Sequence, residues 1–194
     1  MNIEELKVPI DGVCKAMQIA CEKAGADIDA DTPTRAEIVF FVLYLIIDEG
    51  GFDENDLELI EQAAGFQINR EHWNEIIELG RVDSEENYLS QPPAGIILMS
   101  EADNALYDAG ESFACVNAVM DVYKAIGEAF VNIKGFTDNK RSAKLKRFLE
   151  MVDKYQRDNS KDPNAKSFLS KDSDLPHDEK VVPFKKGVKA PKKS

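Results

Sequence analysis

The sequence predicts an all-α fold, a helical bundle of about seven helices with an internal pseudo-two-fold repeat, followed by a flexible tail. Three observations carry this expectation. Apolar residues recur at spacings of three and four through most of residues 1–157. A helix-breaking turn occurs twice, as Gly51-Phe52-Asp53-Glu54-Asn55-Asp56 and, 84 residues later, as Gly135-Phe136-Thr137-Asp138-Asn139-Lys140. Each copy follows an apolar helix pattern and opens a charged one. After Arg157 the composition turns to Lys, Asp, Ser and Pro, with Phe168, Leu169 and Phe184 isolated among them. Such a segment cannot bury enough apolar surface to offset ~1–2 kcal/mol of chain entropy per residue, so residues 158–194 are expected to form a tail.

The elements follow in order. Val13, Met17, Ala20 and Ala24 give helical spacing after Pro9, and Gly25 suits the helix C-terminus. Thr32 can cap a second helix with Pro33 at its first position; Thr34 followed by Glu37 offers an alternative capping box. The run Ile38–Ile47 is apolar on every side and predicts a central helix. Asp48-Glu49-Gly50-Gly51 stops it, and Asp53 starts a third helix with Leu57, Ile60 and Ala64 inward, broken at Gly65-Phe66. Asn69 can cap a short helix through Trp73, Ile76 and Ile77 to Gly80, with Ile68 as a hydrophobic staple against Trp73. Residues 81–95, with Pro92-Pro93, read as a connecting loop.

Helical spacing resumes at Ile96, Leu98, Met99, Ala102 and Leu106 and breaks near Gly110. The next helix carries Val119, Val122, Ile126, Phe130 and Ile133 and ends at Lys134-Gly135. Thr137 caps the last one, whose inward face is Leu145, Phe148, Leu149, Val152 and Tyr155. Its expected outward face is Lys140, Arg141, Lys144, Lys146 and Arg147.

Composition bounds the function. The 194 residues suit one domain plus a tail, and the longest apolar run is ten residues, too short to cross a bilayer. Glu4 and Glu5 precede any apolar stretch, unlike a secretion signal, so the expected location is the cytoplasm. Cys14, Cys21 and Cys115 form no Cys-x-x-Cys pair. Cys14 and Cys21 lie two helical turns apart, ~10 Å at Cα, beyond disulfide reach, and read as small buried residues. Charge is segregated: residues 1–110 carry 24 acidic and 6 basic side chains, whereas residues 180–194 carry six lysines and no acid. The acidic half argues against nucleic acid as the main ligand and favours cations or basic protein surfaces.

The acidic turn invites a metal reading. With Asp48 as position 1 of an EF-hand, positions 3, 5 and 12 are Gly50, Phe52 and Leu59, so the calcium-loop pattern fails. A looser divalent-cation site from Asp48, Glu49, Asp53 and Asp56 stays open beside the reading of these acids as helix-start caps. The second turn places Asn132, Ile133, Thr137 and Lys140 at those positions. Gly110-Glu111-Ser112-Phe113-Ala114 begins like a nucleophile elbow but lacks the closing glycine, so Ser112 reads as a helix-start residue. His72 and His177 share no motif. No catalytic residue and no required cofactor is assigned; a small helical hydrolase remains an alternative.

An apolar helix ending in Asp48-Glu49-Gly50-Gly51-Phe52-Asp53-Glu54-Asn55-Asp56, followed by an acidic amphipathic helix, resembles the TerB-like (tellurite-resistance) helical domain family over residues 10–155. Gly50-Gly51 and the neutral second copy depart from that family's Asp-Gly form. The resemblance implies a bundle of about seven helices and a non-enzymatic cytoplasmic module of bacterial stress, chemical-resistance or phage-defence systems. Such a module contacts a protein partner, basic, ATPase-like or membrane-associated, with acidic turns as divalent-metal sensors. A homodimer through the amphipathic helices is compatible with every reading.

Overall fold

The computed structural model describes residues 3–23, 25–46, 54–65, 67, 69, 71, 75, 88–111, 115–132 and 139–162. These hold six helices and no strand: α1 Ile3–Lys23, α2 Asp31–Ile46, α3 Glu54–Ala64, α4 Ala94–Asp108, α5 Cys115–Val131 and α6 Asn139–Asn159. Of the short helix expected near Asn69–Gly80 only Asn69, Glu71 and Glu75 are described, and residues 81–87 of the 81–95 loop, Thr137 and the tail beyond 162 lie outside the described residues.

Two helix triplets make the bundle. Helices α1, α2 and α3 pack on one another, as do α4, α5 and α6; α2 and α5 join the triplets, each touching helices of both. The 84-residue shift carries 31–46 onto 115–130 and 54 onto 138, so α2 overlays α5 and the start of α3 falls one residue before that of α6. Val39, Val42, Leu43 and Ile46 are buried, and so are their counterparts Tyr123, Ile126, Gly127 and Phe130. The repeat is thus one of helix register and core position, with side-chain volumes traded between the copies.

Residue chemistry explains each helix. Nine of the sixteen residues of α2 are buried, as its all-round apolar pattern predicts for a helix contacted on several sides. Helix α1 starts earlier than expected and runs through Pro9. The missing amide costs a backbone bond, but Leu6 and Ile10 are fully buried on either side of it and draw the first turns onto the core. The end of α1 is the expected glycine cap. Gly25 has φ 77°, Ala26 N–H donates to the Cys21 carbonyl at 2.9 Å and Gly25 N–H to Glu22 at 3.0 Å, the paired bonds of a Schellman turn.

The start of α2 differs from either cap read in the sequence. It begins at Asp31, so Pro33 falls within the first turn, where its missing amide costs nothing. Asp29 Oδ1 accepts from the amides of Asp31 and Thr32 at 3.0 and 3.4 Å, and Gln18 Oε1 on α1 accepts from Ala30 N–H at 2.8 Å. Thr34 Oγ donates to the Ala30 carbonyl at 2.7 Å rather than serving a capping box.

The centre holds five aromatic rings. Phe41 meets Tyr123 at 5.1 Å and Phe148 at 4.5 Å between centroids, and Tyr88, ahead of α4, stacks on Tyr44 at 4.5 Å. The cysteines are free, Cys14 and Cys21 buried on one face of α1 and Cys115 half-buried.

Candidate functional site

Among the described residues five charged side chains reach across to the ends of neighbouring helices, whereas the buried Asp153 pairs within α6 with Arg157 at 3.3 Å. Glu37 projects from α2 to the start of α4, where Oε1 accepts the Ala94 amide at 2.8 Å and Oε2 the Gly95 amide at 3.2 Å. Pro93, the residue preceding α4, supplies no side-chain cap of its own. Asp103 repeats the device from α4: its two oxygens accept the Cys115 and Val116 amides of α5 at 2.9 and 3.0 Å. Both carboxylates thereby take orphan donors at the positive end of a helix.

Cations serve the opposite ends. Lys144 of α6 donates from Nζ to the Tyr44 carbonyl in the last turn of α2 at 2.8 Å and lies 5.3 Å over the Tyr44 ring; the Tyr44 hydroxyl donates back to the Lys144 carbonyl at 3.2 Å. Arg141 of α6 donates to the Phe130 carbonyl in the last turn of α5 at 3.2 Å. Arg35 of α2 donates to the Ala64 carbonyl that ends α3 at 3.2 Å, while its other nitrogens bind Asp11 of α1 at 2.7 Å and Asp31 at 2.8 Å. The bonds from Asp31 and Asp11 hold the Arg35 guanidinium firmly charged. Gly65, with φ 74°, ends α3 here, and a Cβ on it would lie 3.0 Å from Arg35 Nη1.

The expected outward face of α6 is therefore corrected in part. Lys140, Lys146 and Arg147 are exposed, but Lys144 is buried and Arg141 half-buried, because both reach carbonyls in the last turns of neighbouring helices. The expected inward residues Leu145, Phe148, Leu149 and Val152 are buried and Tyr155 is half-buried.

Protonation follows from burial. The Cys14 thiol is pushed from 9.0 up to about 11 by burial, against the opposing charge of Arg35. Burial, followed by a hydrogen bond to Asp103 and the charge of that carboxylate, raises the Cys115 thiol to about 11. The phenols of Tyr88 and Tyr123 are likewise raised by burial, with a smaller contribution from the Glu37 charge. These groups are held neutral, the reverse of an activated nucleophile.

Of the metal candidates, Asp48, Glu49 and Asp53 lie outside the described residues; Asp56 falls within α3, but its side chain is also outside them. Ser112, His72 and His177 lie outside as well. Among the described residues no group of three or more His, Cys, Asp or Glu side chains is placed to hold a metal, and no helix is long and apolar enough to cross a membrane.

Sequence reading singled out Glu37 for the right end, a helix N-terminus, of the wrong helix, α2 rather than α4, and passed over Arg35 and Asp103. No local signal marked them, since Arg35 stands in Thr34-Arg35-Ala36-Glu37 and Asp103 in Glu101-Ala102-Asp103-Asn104, both polar stretches of the chain. No family model, curated protein or solved structure matches this chain.

Proposed function

We propose that the chain is a non-enzymatic protein-interaction module that docks a basic partner through its acidic first half, in the manner of the TerB-like modules it resembles. The observation that carries this reading is the division of labour among the charges. Glu37 and Asp103 each have both carboxylate oxygens taken by backbone amides, so neither is free to act as a general base. Glu22, Asp27, Asp29, Glu58, Glu71 and Glu75 instead face outward, within a segment of 24 acids and 6 bases. A surface of one sign steers and selects an oppositely charged partner more than it strengthens a fold.

We place the module in the cytoplasm of a bacterial stress, chemical-resistance or phage-defence system, with an ATPase or a membrane-associated protein as the class of partner. A pull-down with the full chain at about 0.1 M and 1 M salt is the test. The expected result is a partner released at high salt, when the screening length falls to ~3 Å, and lost from a Glu22→Lys/Asp27→Lys bait. Recovery of no salt-sensitive, charge-dependent partner would remove the reading's main support.

A further inference from the structure

Two asparagines tie the end of α6 to its neighbours, and only one of them is fully used. Asn104 of α4 donates from Nδ2 to the Asn159 carbonyl at 2.9 Å and accepts Lys161 N–H on Oδ1 at 2.7 Å. Asn117, the third residue of α5, meets Gln156 of α6 through one bond, from Gln156 Nε2 to Asn117 Oδ1 at 3.0 Å. Asn117 Nδ2 donates to no described residue. Gln156 is 7% exposed, and its Oε1 is the single buried side-chain nitrogen or oxygen among the described residues without a hydrogen-bond partner. A buried acceptor in that condition is costly, and folded chains almost always supply it with a donor.

Amide geometry sets the width of the gap. The oxygen and nitrogen of one amide lie ~2.2 Å apart, so two amides facing squarely close a ring of two bonds. Here one bond is made and the other is not, so the two amides are splayed. The bond that is made holds Gln156 Oε1 and Asn117 Nδ2 within ~7.4 Å of each other. A molecule bonded at ~2.9 Å to both spans up to ~5.8 Å, the larger part of the range left open. It must donate to Oε1 and accept from Nδ2; turning both amides over exchanges the roles and keeps the requirement. A cation would face the Nδ2 donor and an anion the Oε1 acceptor, so the pair calls for a neutral hydroxyl. Water is the smallest one, and two polar anchors are enough to hold it at a buried site.

We propose that one water molecule sits between Gln156 Oε1 and Asn117 Nδ2 and closes the polar contact between α5 and α6. The buried Gln156 is its inner anchor, and the half-buried Asn117 is the anchor nearer solvent. The water completes between α5 and α6 what Asn104 does unaided between α4 and the end of α6. This site does not rest on the docking function proposed above, and the two fail separately.

Cross-relaxation between water and side-chain amide protons, measured by NMR on the full nitrogen-labelled chain, tests the site. The expected result is a water NOE to the Asn117 NH2 protons opposite in sign to its rotating-frame counterpart, the mark of a water held rather than passing. Asn104, whose NH2 is spent on a protein carbonyl, is the internal control and should lack it. Gln156→Met keeps the unbranched stem and removes both polar atoms, so the Asn117 signal should fall to the level of Asn104. A wild-type Asn117 signal no stronger than that of Asn104 would overturn the proposal, as would one that survives undiminished in Gln156→Met. A crystal structure of the wild-type chain gives a reading that needs no variant. There a water within ~3.2 Å of both Gln156 Oε1 and Asn117 Nδ2 is expected, and a direct bond between those two atoms would overturn the site.

Discussion

Replacing Glu37 with alanine strips the first turn of α4 of a carboxylate that accepts two amides, at 2.8 and 3.2 Å. Loss of an N-terminal cap acceptor costs ~1 kcal/mol, and loss of a negative charge at a partly buried helix N-terminus adds ~0.5–2 kcal/mol. The expected destabilisation is thus ~2–3 kcal/mol. Glutamine keeps the shape and one acceptor oxygen, but it loses the charge and turns an NH2 group towards an amide donor, so it costs ~1–2 kcal/mol. For a chain of this length each kcal/mol lowers Tm by ~2–4 °C, which puts the alanine variant ~5–10 °C below wild type. Urea unfolding and thermal melts measure the loss. Amide exchange locates it, with protection falling at Ala94 and Gly95. Glu101→Ala, an exposed acid on the same helix, is the control and should stay within ~0.5 kcal/mol. A Glu37→Ala protein within ~0.5 kcal/mol of wild type would refute the cross-helix cap. Protection lost in the first turn of α2 instead would restore the Thr34–Glu37 capping box and refute it equally.

The remaining predictions concern the core and the termini. At Gly127 an added Cβ would sit 2.3 Å from Leu145 Cδ1 and 3.1 Å from its Cγ, so Gly127→Ala sets ~1 kcal/mol of gained helix propensity against ~1–3 kcal/mol of overpacking; a net loss of ~1 kcal/mol is expected in urea unfolding, and net stabilisation would show that Leu145 yields. Lys144→Met keeps the aliphatic stem but leaves the Tyr44 carbonyl without its ammonium donor, so it should cost ~1–3 kcal/mol; wild-type stability would show that only the stem matters. The Cys14 thiol binds its proton more tightly folded, at about 11, than at its ordinary 9.0, so the folded state gives up stability as pH rises from 9 through 11. Stability measured at pH 8 to 11 should fall more steeply in wild type than in Cys14→Ala, by on the order of 2–3 kcal/mol at the alkaline limit, and parallel profiles would contradict the burial of that thiol.

The all-α class was legible because it rests on periodicity, and periodicity is local. Val119, Ile126 and Phe130 recur at helical spacing in the sequence and are buried in α5. Gly25 closes α1 because glycine enters the left-handed region without a Cβ clash, a property that needs no neighbour. The 84-residue repeat was visible through its Gly-Phe turns, and the same shift relates α2 to α5. Boundaries were less legible. Proline discourages a helix locally, yet α1 crosses Pro9 because Leu6 and Ile10 are buried by residues far away in the chain. Of the acidic turn that drew the metal reading, Asp48, Glu49 and Asp53 fall outside the described residues, as does the side chain of Asp56.

By itself, then, the amino-acid sequence determined the helices, their repeat, the apolar face of each and the charge division between an acidic first half and a lysine-rich end, since composition and spacing are properties of neighbouring residues. Only the tertiary structure decided which charges turn inward and what they hold: Glu37 and Asp103 on amides at helix starts, Arg35, Lys144 and Arg141 on carbonyls at helix ends. The physical reason is the polarity of the helix. Its termini leave unpaired donors at one end and acceptors at the other, and which side chain lies near them is set by packing between segments as far apart as Tyr44 and Lys144, a relation no local pattern encodes.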